Sequence, residues 1–135
     1  MSLDIQQREH EGITVIDLNG RITVGPEASA FREKITELVA AGTKNIVLNL
    51  KDVDFIDSTG LGALVMVATN LRKNGGSIKL VNLSRRSVEL LVMTKLATVF
   101  EIFNDEQDAI SSYYPDRKIK TFDILDFVQK MKKEE

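Results

Sequence analysis

The segment Asp57–Gly62, with the sequence DSTGLG, places an acid, two hydroxyls and two glycines close together. At a helix start, Asp, Ser and Thr side chains accept hydrogen bonds from backbone N–H groups that the helix leaves without partners. A serine there is also an acceptor for a phosphoryl group, which adds about −1.5 to −2 charges at neutral pH. A helix N-terminus tolerates this charge, but an interface does not, because desolvating an unpaired charge is costly. The turn therefore predicts a helix cap alone or a docking switch at Ser58.

The two glycines of this turn, Gly60 and Gly62, are not required for capping. Glycine inside a helix costs about 1 kcal/mol relative to alanine, so two glycines in the first turn need another reason. Glycine permits the close approach of a second backbone or surface. We expect such an approach here.

The helix that begins at this turn has two different faces. Helical spacing directs an apolar stripe toward the core, consisting of Leu61, Leu64, Val65, Ala68 and Leu71. The opposite face is small, weakly polar and uncharged, and it consists of Thr59, Gly62, Ala63, Met66 and Asn70. Because a solvated helix face is normally charged, either a neighbouring element covers this face or another protein docks on it.

Other chemistries have little support in the sequence. The chain has no cysteine and one histidine, His10, which is too few for a thiolate or histidine metal site. The spacing of Asp52, Asp54 and Asp57 is not that of a calcium loop, and neither a phosphate-binding lysine motif nor a hydrolase serine elbow occurs. A net charge of −2 gives no bulk attraction to nucleic acid. We expect no enzyme activity, no cofactor and no metal.

Strand and helix patterns alternate through residues 1–114. The chain opens with two β-rich runs joined at Glu11-Gly12, which indicate an antiparallel hairpin. Further strands are predicted at NIVLNL and SIKLVNL, and helices are predicted to begin near Pro26, Ser58, Ser84 and Asp105. This order predicts an α/β fold of one domain, with a mixed sheet of four to five strands and about four helices.

Residues 115–135 are predicted to be an extension with one additional helix. Its apolar stripe consists of Ile124, Leu125, Phe127, Val128 and Met131. This stripe must be buried somewhere, so the helix either packs on its own domain or forms a homodimer. The N-terminus has no signal-peptide pattern, and no run approaches the roughly 20 apolar residues of a membrane span. We expect a cytoplasmic protein without membrane insertion.

The stretch IVLNLKDVDFIDSTGLGALV resembles the signature of STAS domains, and most closely that of the bacterial anti-sigma-factor antagonists. The likeness extends from about Leu3 to Tyr114. It implies a STAS-type fold and regulation of transcription by protein–protein interaction. In that family, a partner that is both anti-sigma factor and serine kinase phosphorylates the serine after the aspartate, which corresponds to Ser58. The resemblance also implies that Asp57 and Thr59 flank the switch.

The resemblance further implies that Gly60 and Gly62 allow close docking of the partner. The unphosphorylated antagonist binds the kinase and releases the sigma factor, and a phosphatase reverses the modification. Many antagonists have an aspartate in the loop after the second strand, where this chain has Thr23. That loop is expected near the serine and is implied in kinase docking. The alternative is a STAS scaffold or accessory subunit of a stress-signalling or membrane transport complex, without obligatory phosphorylation.

Overall fold

The computed structural model describes residues 3–134, which form five strands and five helices. In chain order these elements are β1 Leu3–His10, β2 Ile13–Ile22, α1 Pro26–Ala40, β3 Asn45–Ile56, α2 Ser58–Lys73, β4 Ser77–Val81, α3 Arg85–Met93, β5 Glu101–Phe103, α4 Glu106–Ser111 and α5 Ile124–Glu134. The α/β alternation and the helix count agree with the prediction. Among these residues, no helix has the length and apolarity to cross a membrane.

One sheet contains all five strands in the order β1-β2-β3-β4-β5. The pair β1 and β2 is antiparallel, and each later strand is parallel to its neighbour. The hairpin turn has positive φ at Glu11 (51°) and Gly12 (84°), as tight two-residue hairpin turns require. The mixed sheet with an opening hairpin is therefore confirmed. The carboxyl ends of β2 and β3 meet at one edge, which we call the serine edge.

The two faces of the sheet are covered differently. On one face, α1, α2 and α3 pack against the apolar strand residues and contribute the buried side chains Phe31, Leu64, Leu71 and Leu91. On the other face, α4 covers a smaller cluster that includes Val15, Val47, Val81, Ala109 and Ile110. The parallel strands are thus buried on both sides, as their continuous apolar runs indicate.

The third strand is longer than predicted, and this difference positions the site. The prediction ended it at Leu50, whereas β3 continues to Ile56. Beyond Asn49 it no longer pairs with β4, but after two register shifts it pairs with the end of β2 as far as Ile22↔Ile56. Because this second half contains charged residues such as Asp52 and Asp54, its sequence pattern indicates a loop rather than a strand. The pairing brings Ile22 beside the start of α2.

The C-terminal extension contacts the domain. The Phe122 N–H donates to the carbonyl of Ile102 on edge strand β5 (3.1 Å), and Phe122 and Ile124 pack against the main core. At the far end of α5, Glu134 forms an ion pair with Arg85. Packing on the domain therefore accounts for part of the predicted apolar stripe, while Leu125 is 77% exposed. The domain boundary at Pro115 and the homodimer remain predictions.

Candidate functional site: the first turn of α2

Asp57 fixes the first turn of α2 with both of its carboxylate oxygens. Oδ1 accepts a hydrogen bond from the backbone N–H of Gly60 (2.8 Å), which makes Asp57 the N-cap of the helix. Oδ2 accepts from the backbone N–H of Val24 in the β2–α1 loop (3.0 Å). These N–H donors, Gly60 first and then Val24, lower the pKa of Asp57. One side chain therefore ties the loop to the helix start.

Gly60 is required by the fold itself. The Ile22 carbonyl accepts a hydrogen bond from the N–H of Asp57 (3.3 Å) and lies against Gly60, where a Cβ atom would stand 1.8 Å from the carbonyl oxygen. The expected close approach at this glycine is thus an internal backbone. Gly62 differs, because a Cβ atom there would have nothing within 4 Å.

Exposed hydroxyl and apolar side chains lie in and around this hydrogen-bonded turn. Ser58 and Thr59, the first two residues of α2, are both exposed. Large apolar side chains nearby are also open to solvent, at 67% for Val24, 37% for Phe55 and 55% for Met66. We call the surface of Val24, Phe55, Ser58, Thr59, Gly62 and Met66 the serine face. It presents hydroxyls within a largely uncharged surface.

The prediction that Ala63 lies on the exposed face of α2 is wrong. Its side chain is only 3% exposed and belongs to the main core. The buried stripe of α2 is turned toward Ala63 and Val67, because α1 packs on that side, and Val65 is only half-buried. Sequence periodicity placed the stripe too far toward Val65. Exposure of Thr59, Gly62 and Met66 agrees with the prediction.

Thr23 lies in the loop that Asp57 holds. It is half-buried, and its carbonyl accepts a hydrogen bond from the N–H of Ala28 in the first turn of α1 (3.1 Å). The adjacent Val24 N–H is the group bound by Asp57. The loop with Thr23 therefore borders the start of α2, where the resemblance places it.

Phe55 is a member of this region that sequence reasoning did not identify. Strand alternation from buried Val53 predicts an inward Phe55, but the side chain is exposed while Ile56 is buried. The guanidinium of Arg86, in the first turn of α3, lies 5.9 Å from the Phe55 ring centroid, within the range of a cation–π contact. The sequence shows the aromatic residue Phe55, but it does not show on which side of β3 the side chain lies.

The one histidine of the chain is not beside Ser58. His10 lies at the opposite edge of the sheet from Ser58, because it pairs with Ile13 at the beginning of β2, and its ring contacts Glu106. A serine nucleophile needs a base within hydrogen-bond reach. Among residues 3–134, no three metal-binding side chains converge on a common point.

Comparisons with known proteins agree with this architecture. A family model for the STAS domain matches residues 4–109. The anti-sigma-B factor antagonist of Bacillus subtilis (strain 168) is 35% identical over 102 residues, which cover 76% of this chain and 92% of that protein. The anti-sigma factor antagonist SpoIIAA in its unphosphorylated form has a TM-score of 0.71 at 20% identity, over 85% of this chain and 100% of that chain. The Bacillus cell fate determinant SpoIIAA in its phosphorylated form has a TM-score of 0.64 at 22% identity, over 82% and 99%.

Proposed function

We propose that this chain, which belongs to the STAS domain family, is an anti-sigma-factor antagonist switched by phosphorylation of Ser58. The proposal rests on the exposure of Ser58, which lies within the serine face at a helix start that Asp57 holds by two backbone hydrogen bonds. A relative with 35% identity is named an anti-sigma-B factor antagonist. In this role the unphosphorylated chain binds an anti-sigma factor and so releases a sigma factor.

The switch follows from the two environments of the phosphate. In the free chain, a phosphate on Ser58 lies at the N-terminus of α2, where the helix dipole favours negative charge. In the complex, the same charge would be desolvated against a partner, which costs several kcal/mol unless it is paired. Each 1.4 kcal/mol weakens binding about tenfold. Phosphorylation is therefore expected to prevent docking while the fold is retained.

The neighbours of Ser58 have separate roles in this proposal. Asp57 positions the serine and the Thr23 loop by its two backbone hydrogen bonds. Gly62 lets a partner approach because no side chain lies above it, and Met66 supplies an adaptable apolar contact. Gly60 and Ala63 are buried, and they support the turn by packing inside the domain.

The proposed partners are an anti-sigma factor that is also the serine kinase and a phosphatase that restores the hydroxyl. The chain itself is a substrate and a competitive binder rather than an enzyme, and it acts in the cytoplasm. A homodimer through α5 remains a separate proposal, for which the exposure of Leu125 is the support.

The kinase reaction tests the proposal directly. The full chain is incubated with the anti-sigma factor kinase encoded in the same genome, ATP and magnesium, and the phosphorylated residue is mapped by mass spectrometry. Thr59→Ala is the matched control for Ser58→Ala, because it removes the adjacent exposed hydroxyl. We expect one phosphate on Ser58, retained in Thr59→Ala and lost in Ser58→Ala.

The switch at Ser58 is contradicted if phosphate is found on another residue, or if the Ser58→Ala variant is still modified. A chain that binds the kinase and is never phosphorylated favours the scaffold alternative.

A further inference from the structure

The C-terminal helix brings basic side chains toward the serine edge. Ile124, at the beginning of α5, packs on the core beside Phe100. At the other end, Glu134 contacts Arg85 at the beginning of α3. Helix α5 therefore runs antiparallel to α3, and its last turn, with Lys132 and Lys133, lies at the same end as the start of α3.

The start of α3 adjoins the serine face. Ser84 caps α3 by accepting a hydrogen bond from the N–H of Ser87 (3.1 Å), and Arg86 in the first turn lies 5.9 Å from the Phe55 ring. Phe55 is three residues before Ser58 and belongs to the serine face. Contacts thus extend without interruption from the end of α5, through the start of α3, to the proposed docking site.

Not every cation in this region is available to a partner. Arg85 is engaged by Glu89 (2.9 Å) and by Glu134, and Lys130 pairs with Asp126 (3.1 Å). At the start of α3 and in the last turn of α5, the other exposed cations are Arg86, Lys132 and Lys133, which we call the basic rim. Arg86 lies beside Phe55 of the serine face, and the two lysines add positive charge in the turn of α5 that reaches Arg85.

We propose that the basic rim binds an acidic surface of the same partner that docks on Ser58, so that the extension contributes to partner recognition. This inference rests on the proposed function. A protein partner fits better than a lipid surface, because the apolar face of α5 is partly covered, with Ile124 packed against the main core and Phe127 and Val128 half-buried, whereas membrane-bound amphipathic helices insert their apolar face. Charges at the rim of an interface act mainly on the association rate and its salt dependence.

The association rate of the full chain with the same anti-sigma factor kinase tests this inference. The double variant Lys132→Glu/Lys133→Glu is compared with Lys118→Glu/Lys120→Glu. The control changes the net charge equally in the same extension, next to α4, where the Lys120 N–H bonds Asp108. We expect the rim variant to associate about tenfold more slowly at low salt, with the difference disappearing at high salt. The control is expected to stay within about twofold of the wild type because its charges lie outside the interface.

Equal slowing of both double variants would reduce the effect to bulk charge and overturn the inference. An unchanged rate for the rim variant would overturn it too, while loss of binding in Ser58→Asp would leave the proposed function intact. If the wild type fails to bind the kinase, both proposals fall. Rim-dependent binding to phosphatidylserine vesicles, without any effect on the kinase, would assign the rim to a membrane and also overturn the inference.

Discussion

The two edges of the sheet use charge in different ways. At the edge near the β1–β2 turn, charged side chains bind one another: Arg8 contacts Asp17 (2.6 Å) and Glu106, and Glu106 also contacts His10. At the serine edge, the carboxylate of Asp57 accepts two hydrogen bonds, and both donors are backbone N–H groups. The first edge is closed by its own side chains. The second has a backbone-fixed turn with exposed hydroxyl and apolar groups, which suits it to docking.

The difference extends to how each edge is held together. Near the β1–β2 turn, the Tyr113 hydroxyl lies 2.8 Å from the Ile46 carbonyl oxygen and 3.0 Å from that of Ser77, and burial raises the pKa of Tyr113. A side chain thus joins two strands there. At the serine edge, the backbone carbonyl of Ile22 joins β2 to the start of α2 by accepting a hydrogen bond from the N–H of Asp57, and it lies against Gly60. At the serine edge, backbone groups therefore hold the turn in place, and no bulky side chain is needed for this on the surface.

The two glycines of the α2 turn should give the largest contrast. Gly60→Ala places a Cβ atom 1.8 Å from the Ile22 carbonyl oxygen, and we expect a loss of about 3 kcal/mol in the free energy of unfolding because the backbone must shift. Gly62→Ala meets no atom within 4 Å and should raise stability by up to about 1 kcal/mol. Urea unfolding of both variants measures this. Equal effects would contradict the packing assigned to Ile22.

Asp57 variants should separate the cap from the loop contact. Asp57→Ala removes both hydrogen bonds and should cost about 2 kcal/mol, one part for the cap and one for the Val24 bond. Asp57→Asn keeps a carbonyl oxygen for Gly60 but points an amide donor at Val24, so about half of that loss is expected.

The pH dependence of these losses has a definite sign. The folded pKa of Asp57 is lowered, so its contribution is complete above the unfolded pKa, about 4, and disappears as pH falls through the folded value. The stability gap between wild type and Asp57→Asn should therefore shrink below about pH 4 in chemical unfolding curves. A gap that widens in acid would argue against an ionised Asp57 as the clamp.

Tyr113→Phe tests the opposite edge. The variant leaves the Ile46 carbonyl without this hydroxyl donor, and a loss of about 1–2 kcal/mol is expected on thermal unfolding. Phosphorylation of Ser58 should be unchanged, because Tyr113 acts at the far edge. Impaired phosphorylation in a fully folded variant would show that the two edges are not independent.

The smallest effect should come from the exposed ion pairs. Arg8 lowers the pKa of both Asp17 and Glu106, so its contribution is present above about pH 4 and lost in acid. Since all three groups are partly exposed, we expect Arg8→Gln to cost less than about 1 kcal/mol at neutral pH. High salt should reduce the cost further. An effect equal to that of Tyr113→Phe would mean that the pairs are more important than their exposure indicates.

Most of the architecture was predictable from the sequence because its signals are local. The structure contains strands at the predicted apolar runs and begins α1 at Pro26, as predicted. It also has Ser84 and Asp105 as the capping residues of α3 and α4. The second half of β3 was not predictable in this way, since its partner is the distant end of β2 and its outward residues are charged. Register shifts are properties of a strand pair, which a single sequence does not display.

The site was predictable in its residue types but not in its orientation. The need for a close approach at Gly60 could be inferred, yet the approaching group, the Ile22 carbonyl, comes from another strand. Ala63 was assigned to the wrong face because the direction in which α1 packs decides which flank of α2 is buried. The exposure of Phe55 depends on the same long-range pairing. The sequence thus identifies the residue types of the site, but not which of their side chains lie on the surface.

The affinity of the anti-sigma factor kinase for the two forms of this chain is the most direct test of a switch at Ser58. Titration calorimetry would compare the unmodified protein with the same protein phosphorylated on Ser58. The proposed switch predicts that binding is at least about 100-fold weaker after phosphorylation, because desolvating the phosphate costs several kcal/mol, and that the fold is unchanged. Equal affinity of the two forms would contradict it.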